Sequence, residues 1–286
     1  MRSTSRRVIR MRATSRRAVE WFALMVLFGL MFLPILTLAR ASVSPRVDLY
    51  SRPFRWLPQE WTWQHYLDVL RPDHIVPLVE ALRHTFIVSL GTALLSVGLG
   101  SLAAYAFARL QFRGRNALLS AMFAVYILPG MLFLIPIFIM FREINILDSY
   151  GSLIIPYTAF IMPFIVIIMR GYFASIPRNL EEAAMLDGCS PFQIYLRIVL
   201  PLSTPGLVAA FVSAFILSWN EFLTPLILTS RLRVITTTLG QYSSTQDIEL
   251  GQMAAAGMYS LLPVVAIALA LNRYIRRGLV EDAVKG

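Results

Sequence analysis

Few side chains in this 286-residue sequence could do chemistry, and their spacing narrows what that chemistry is. The three histidines, His65, His74 and His84, lack the H-E-x-x-H spacing that holds a catalytic zinc, and they read as surface or interfacial residues. The one cysteine, Cys189, has no second thiol for an intramolecular disulfide. The one lysine, Lys285, stands in no glycine loop, so the G-x-x-x-x-G-K-[ST] phosphate cradle is absent and the chain is not read as a conventional P-loop ATPase. No nucleophile–base arrangement can be read, and no catalytic residue or metal site is assigned. Two places remain. One is Trp219-Asn220-Glu221, where the only carboxylate within a long apolar run is found. The other is EEAAMLDGCSPFQIYLRIVLP, residues 181–201, polar and patterned between two apolar stretches.

That second segment carries helix punctuation. Pro177 suits a first helical turn, and Glu181 and Glu182 follow near the start, where the helix dipole favours negative charge. Leu180, Ala183 and Ala184 fall on one face, and Gly188 is placed as the residue after the helix end. Ser190-Pro191-Phe192-Gln193 then offers an N-cap, a proline at the first position and a capping box. Phe192, Tyr195, Leu196 and Val199 form an apolar stripe that ends at Pro201. The expectation is two short helices joined by a tight glycine turn. Such a segment is either an ordinary connector or a docking handle, with Ala183 and Ala184 sliding into a groove and Glu182 meeting a basic residue of a cytoplasmic partner.

The elements that position these residues are membrane helices. Hydrophobic residues make up 57% of the chain and charged ones 15%, against about a quarter charged in soluble domains. Six stretches are almost free of charge: Trp21–Ala39, Thr85–Ala108, Ala117–Phe141, Ser149–Met169, Leu207–Thr229 and Leu250–Asn272. About 20 residues cross a hydrocarbon core, and backbone amides in lipid must be satisfied within the segment. The expected fold is therefore all-α, polytopic, with six transmembrane helices.

Charge sets the orientation. With both termini in the cytoplasm, seven arginines precede Trp21, three lie at 109–116, three at 170–206, and four Lys/Arg follow Asn272. The outer side then holds six at 40–83, Arg142, Arg231 and Arg233, the six being balanced by Asp48, Glu60, Asp68, Asp73 and Glu80. The positive-inside rule explains the net charge of +10, and no nucleic-acid partner is expected. The divisions are a basic cytoplasmic leader (1–20), a first anchor (21–39), an external loop (40–83), a five-helix core (84–272) containing the 170–206 cytoplasmic loop, and a cytoplasmic tail (273–286). Ala39-Arg40-Ala41 resembles a signal-peptidase site, but the apolar run exceeds a signal h-region, and an uncleaved anchor is expected. In the external loop, Trp63, Tyr66, Leu67 and Leu70 give helical spacing with Thr62 as N-cap, a short amphipathic helix that either rests on the bilayer interface or offers a docking surface to an external protein. Prolines recur in the spans, and small residues line the second (Gly91, Gly98, Gly100) and sixth (Gly251, Gly257), as close helix packing allows.

The 181–201 segment resembles the EAA loop of ABC-importer permeases: E-A-A, three residues, G, nine residues, then I-x-L-P. Glu182-Ala183-Ala184, Gly188, Ile198, Leu200 and Pro201 keep every spacing. ARLQFRGR at 108–115, NILDSYGSLIIPYTAF at 145–160, RGYFASIPRNLEEAA at 170–184 and SWNEFLTPLIL at 218–228 resemble the carbohydrate-uptake, maltose-type branch, and the likeness covers roughly residues 60–286. The resemblance implies an ABC-importer permease fold in a bacterial or archaeal cytoplasmic membrane. It implies a homologous second permease, two cytoplasmic ATPase subunits that carry the ATP and magnesium, and an extracytoplasmic solute-binding protein. It also implies that Glu181 to Gly188, with Asp187, and the Ile198-Leu200-Pro201 end couple nucleotide-driven closure to the spans. The cargo would be a sugar, with a polyol or glycerol phosphate as alternatives. Trp219, Asn220 and Glu221 are candidates for the translocation path. For Glu221 an interhelical hydrogen bond to Ser or Thr stays open, as does an ion-coupled carrier built on that carboxylate.

Overall fold

The computed structural model describes the backbone of residues 2–53, 55–71, 77–242 and 249–283, and the side chains of 20–53, 55–71, 77–242 and 249–271. His74 and Lys285 lie outside the described residues, as does most of the tail beyond its backbone. Among the described residues every regular element is a helix: α1 (Arg2–Ser42), α2 (Arg46–Leu49), α3 (Gln64–Asp68), α4 (Leu78–Arg109), α5 (Arg115–Ile127), α6 (Met131–Glu143), α7 (Tyr150–Ser175), α8 (Arg178–Leu186), α9 (Pro191–Ile194), α10 (Leu200–Leu202), α11 (Thr204–Trp219), α12 (Leu223–Leu228), α13 (Ile235–Gln241) and α14 (Leu250–Ala283).

Four helical segments are long and apolar enough to cross a membrane: Glu20–Ser42, Leu78–Arg109, Tyr150–Ser175 and Leu250–Leu271. Two bent pairs bring the number to six when each is one span: α5 with α6, bent by 94°, and Pro191–Leu202 with α11, bent by 80°. The expected straight span Ala117–Phe141 is thus broken at Leu128-Pro129-Gly130, where Pro129 has no amide hydrogen and Leu128 is extended, as a residue before proline prefers. The expected span Leu207–Thr229 is broken as well. Its helix stops at Trp219, and Phe222 leaves helical geometry before α12 begins. Sixteen residues of α11 reach about 24 Å, short of a typical hydrocarbon thickness. Pro34, Pro136, Pro156, Pro163 and Pro263, by contrast, sit inside continuous helices.

The core lies where α4 and α7 pack along their lengths, with α11 against both and α14 closing against α11 and α1. The approach of α4 to α7 needs small residues. A Cβ on Gly91 would stand 2.9 Å from Ile154 Cδ1, and one on Gly100 2.9 Å from Ile165 Cγ2. Gly98 faces open space instead, on a groove of about 440 Å³ between α4, α11 and α14.

The external loop folds differently from its apolar pattern. In α3, one turn long, His65 and Val69 are buried, whereas Trp63, Leu67 and Leu70 are exposed. His65 is therefore a packed residue rather than a surface one. Its Nε2 lies 3.0 Å from the Ser44 carbonyl, and its ring fills the space beside Gly251 at the start of α14. Thr62 Oγ1 accepts from the Gln64 amide, though Trp63 occupies the cap position. His84 is held between Glu80 and the ring of Tyr150.

Candidate functional site

The loop after α7 begins with Ile176-Pro177, both extended, so that α8 leaves the end of α7 at a fixed angle. Its nine residues divide by contact. Glu181 and Ala184 are buried against the spans; Leu180, Glu182, Ala183, Met185 and Leu186 are exposed. The expected common face of Leu180, Ala183 and Ala184 is therefore split, with Ala184 turned inward. Beyond the exposed Arg178 and Asn179 of the first turn, the outward surface is apolar apart from Glu182, and Leu186 is 90% exposed.

Gly188 ends the helix as its spacing predicts. Its φ of +84° is left-handed, its amide donates to Met185 O (3.0 Å), and the Cys189 amide donates to Ala184 O (2.9 Å). This pair of bonds is the Schellman closure. Asp187 is the exposed C-cap, its amide bonded to Ala183 O. At Ser190 the capping box forms in full: Ser190 Oγ accepts from the Gln193 amide (3.3 Å), and Gln193 Oε1 accepts from the Ser190 amide (2.8 Å).

Beyond α9 the chain widens into one π-helical turn, Tyr195–Val199, in which the Leu200 amide reaches back to Tyr195 O. Pro201, next in line, has no amide to offer, and the widened turn precedes it. Ile194, Tyr195 and Val199 face the core; Phe192 and Leu196 face out, so the expected apolar stripe is also divided. Ile198 and Leu200 are half-buried and Pro201 is exposed. The break falls at Ser203, two residues after Pro201.

The spans receive this loop through residues that the sequence pattern did not single out. Arg109, last residue of α4, donates from Nε to Glu181 Oε1 (2.6 Å) and from Nη2 to the Ile176 carbonyl (2.8 Å). Tyr105 OH donates to Glu181 Oε2 (3.3 Å). One turn further along, Ser101 Oγ and Tyr195 OH are 2.8 Å apart. The rings of Tyr105, Phe173 and Tyr195 pack between these contacts, with centroids 5.2–6.3 Å apart. Glu181 is thus an internal ion-pair partner, while Glu182 beside it stays outside. The overlooked signal was periodic: Ser101, Tyr105 and Arg109 recur every four residues along the last turns of α4, where all the other residues are apolar.

At the other end of the spans, Trp219 is buried, stacked on Phe215 with centroids 5.4 Å apart. Asn220 is exposed and returns its Nδ2 to the Ile216 carbonyl. Glu221 is half-buried: Oε2 accepts from Tyr157 OH (3.1 Å) and from the Thr224 amide (3.0 Å), so the carboxylate braces the first turn of α12 against α7. Its own carbonyl accepts from Thr236 Oγ1. Nearby, Asp148 gathers the amides of Ser230 and Arg231 and the Ser230 hydroxyl. Burial would raise that carboxyl, but these donors outweigh it and hold it below its ordinary value.

Residues 96–281 match the family described as binding-protein-dependent transport system inner membrane component. The chain belongs to this family. Among its relatives, the inner membrane ABC transporter permease protein YcjP of Escherichia coli is 38% identical over 80% of this chain and 82% of its own. The trehalose transport system permease protein SugB of Mycobacterium tuberculosis is 32% identical over 95% of this chain and 99% of its own. A solved bacterial ABC transporter involved in the import of alginate superposes on this permease with a TM-score of 0.75, at 22% identity, covering 90% of this chain and 95% of that one. The permease is thus a multi-pass inner-membrane protein of the ABC-importer fold, with the EAA-type loop docked beneath α4 and α7.

Proposed function

We propose that this permease moves a sugar, a mono-, di- or oligosaccharide, across the cytoplasmic membrane by alternating access, driven by ATP that separate subunits hydrolyse. The observation that carries the reading is the division of α8. Its inner face is tied to the spans through Glu181 and Ala184, and its outer face presents Glu182, Ala183 and Leu186 with no partner surface among the described residues. A few hundred Å² of such a face at about 25 cal/mol per Å² gives several kcal/mol of docking energy. The sugar assignment draws on the relatives: trehalose for one, diacetylchitobiose for the uptake protein DasC of Streptomyces coelicolor, and trehalose and maltose for a permease of Thermococcus litoralis.

The working assembly in this reading is a second, homologous permease, two cytoplasmic ABC ATPases carrying ATP and Mg²⁺, and an extracytoplasmic solute-binding protein. Both termini and α8 lie on the cytoplasmic side. Glu182 to Gly188, with Ile198, Leu200 and Pro201, transmit closure of the ATPases to the spans. Asn220, exposed where α11 breaks, is the member of the Trp219-Asn220-Glu221 group best disposed to meet solute; Trp219 and Glu221 shape the wall behind it. A carboxylate already committed to Tyr157 and Thr224 is poorly placed for a proton relay, which argues against the ion-coupled alternative. The test is a mild-detergent pull-down of the tagged chain from its native membranes with mass spectrometry of what co-purifies. A P-loop ATPase and a second EAA-bearing permease are expected. Recovery of the chain alone would overturn the reading.

A further inference from the structure

Three side chains of a single helix hold the loop, and they share one face of it. Ser101, Tyr105 and Arg109 stand a turn apart on α4 and engage, in order, Tyr195 after the glycine turn, Glu181 before it, and Glu181 together with the end of α7. Both arms of the loop therefore converge on α4, although the chain enters the loop from α7 and leaves it toward α11. We propose that this ladder is the receiver through which displacement of α8 enters the membrane domain, with Arg109 as the positioning residue that holds α8 at one angle to α4 and to the end of α7. The inference rests on the reading that α8 meets an ATPase.

The physical argument lies in what it would take to open the joint. The side chains of Arg109 and Glu181 are only 8% and 5% exposed. An exposed ion pair separates at little cost because water replaces each partner. A buried pair pulled apart leaves two uncompensated charges in an apolar setting, here next to Ala108, Phe173 and Ile176, and that is strongly opposed. The planar guanidinium adds direction, because Nε and Nη2 are committed to different elements and a rotation of α8 misaligns at least one of them. When α8 is pushed, α4 moves with it rather than the joint opening. The far arm is looser in kind: it reaches α4 through one neutral hydrogen bond and the aromatic contacts of Tyr195.

The experiment uses the complex purified from native membranes in nanodiscs, with spin labels on Leu102→Cys of α4 and Asn179→Cys in the exposed first turn of α8, away from the docking face, in a Cys189→Ser background. Distances are read by pulsed electron resonance, with and without a magnesium-bound non-hydrolysable ATP analogue. The native joint is expected to give one narrow distance that nucleotide leaves unchanged. Because removing one partner strands the other, the informative variant is the double replacement Arg109→Met with Glu181→Leu, which strands neither charge. It is expected to retain thermal stability and the co-purifying ATPase. Its α8–α4 distance is expected to broaden and to shift with nucleotide, and ATP turnover per α4 movement to rise on the order of ten-fold, the range of ordinary coupling energies. Arg109→Lys, which can keep Glu181 but not the Ile176 carbonyl as well, is expected to fall between. A narrow distance in the double variant that stays locked on nucleotide binding would overturn the receiver. If no ATPase accompanies the native chain, the coupling reading fails instead, while the nucleotide-free distance width still reports whether Arg109 positions α8.

Discussion

Gly188→Val isolates a single physical quantity. A Cβ at this position would meet nothing within 4 Å, so the substitution is not a clash. What it opposes is the φ of +84°. Left-handed backbone costs an L-residue about 1–2 kcal/mol, and a β-branched side chain stands at the upper end. The turn can escape by abandoning that conformation, but then the Gly188–Met185 and Cys189–Ala184 bonds are lost, each contributing about 0.5–1.5 kcal/mol. Either route costs about 2 kcal/mol, roughly a 30-fold shift away from the closed turn. Asn tolerates the left-handed region and Ala does so less well, so closure is expected to fall in the order Gly, Asn, Ala, Val. Hydrogen exchange at the amides of residues 187–189 reads closure directly, and the fraction of ATPase retained in mild detergent reads its consequence. Native exchange in the valine variant would refute the argument. So would a ranking in which Asn is worst, since side-chain chemistry rather than φ would then be deciding.

The joint beneath α8 separates two neighbouring glutamates. Arg109→Ala leaves Glu181 buried and unpaired, a loss of about 3–5 kcal/mol measurable as lowered thermal stability of the detergent-solubilised chain. Glu182→Ala is expected to leave stability within about 0.5 kcal/mol and to reduce only ATPase capture. The Asp148 carboxyl, depressed by the Ser230 and Arg231 amides, contributes stability that is present above the ordinary carboxylate range. That contribution is lost as pH falls through the lower folded value. Proteolysis of the 229–234 segment is expected to rise below about pH 4, and Asp148→Asn is expected to remove that pH dependence. Glu221→Gln keeps an acceptor for Thr224 or Tyr157. Uptake is expected to stay dependent on ATP and indifferent to a collapsed proton gradient, and a gradient dependence lost with the carboxylate would revive the ion-coupled carrier.

What could be read from the sequence was local. Gly188 as a helix stop and Ser190 to Gln193 as a capping box depend on neighbours within five residues, and both form as their spacing predicts. Residues that meet only in the fold were misread or passed over. Glu181 looked like a charge favoured by a helix start, yet its partner lies 72 residues away at Arg109. His65 looked superficial because nothing near it in sequence indicates that Gly251 leaves room for its ring. The breaks at Pro129 and Asn220 lie inside apolar runs, where hydropathy alone cannot distinguish a straight helix from two bent ones. For Glu181 and His65 the missing information was tertiary, whereas Pro129 was in view and only its outcome differed from prolines such as Pro156 that sit inside a continuous helix.

The shaft of α1 has consequences for how the protein is made. From Trp21 to Leu36 every residue is exposed, and burial sets in at Thr37, toward the outer end that meets α14 and, through Ser42, the loop carrying Tyr66. A helix satisfied by its own hydrogen bonds and surrounded by hydrocarbon needs no neighbour in order to insert. Just past α1, the turn that follows it depends on residues synthesised far later: Arg46 of α2 pairs with Glu249 across 203 positions of sequence. The outer end of α1 is therefore fastened in two steps, first when Tyr66 reaches Ser42, 24 residues on, and last when α14 arrives.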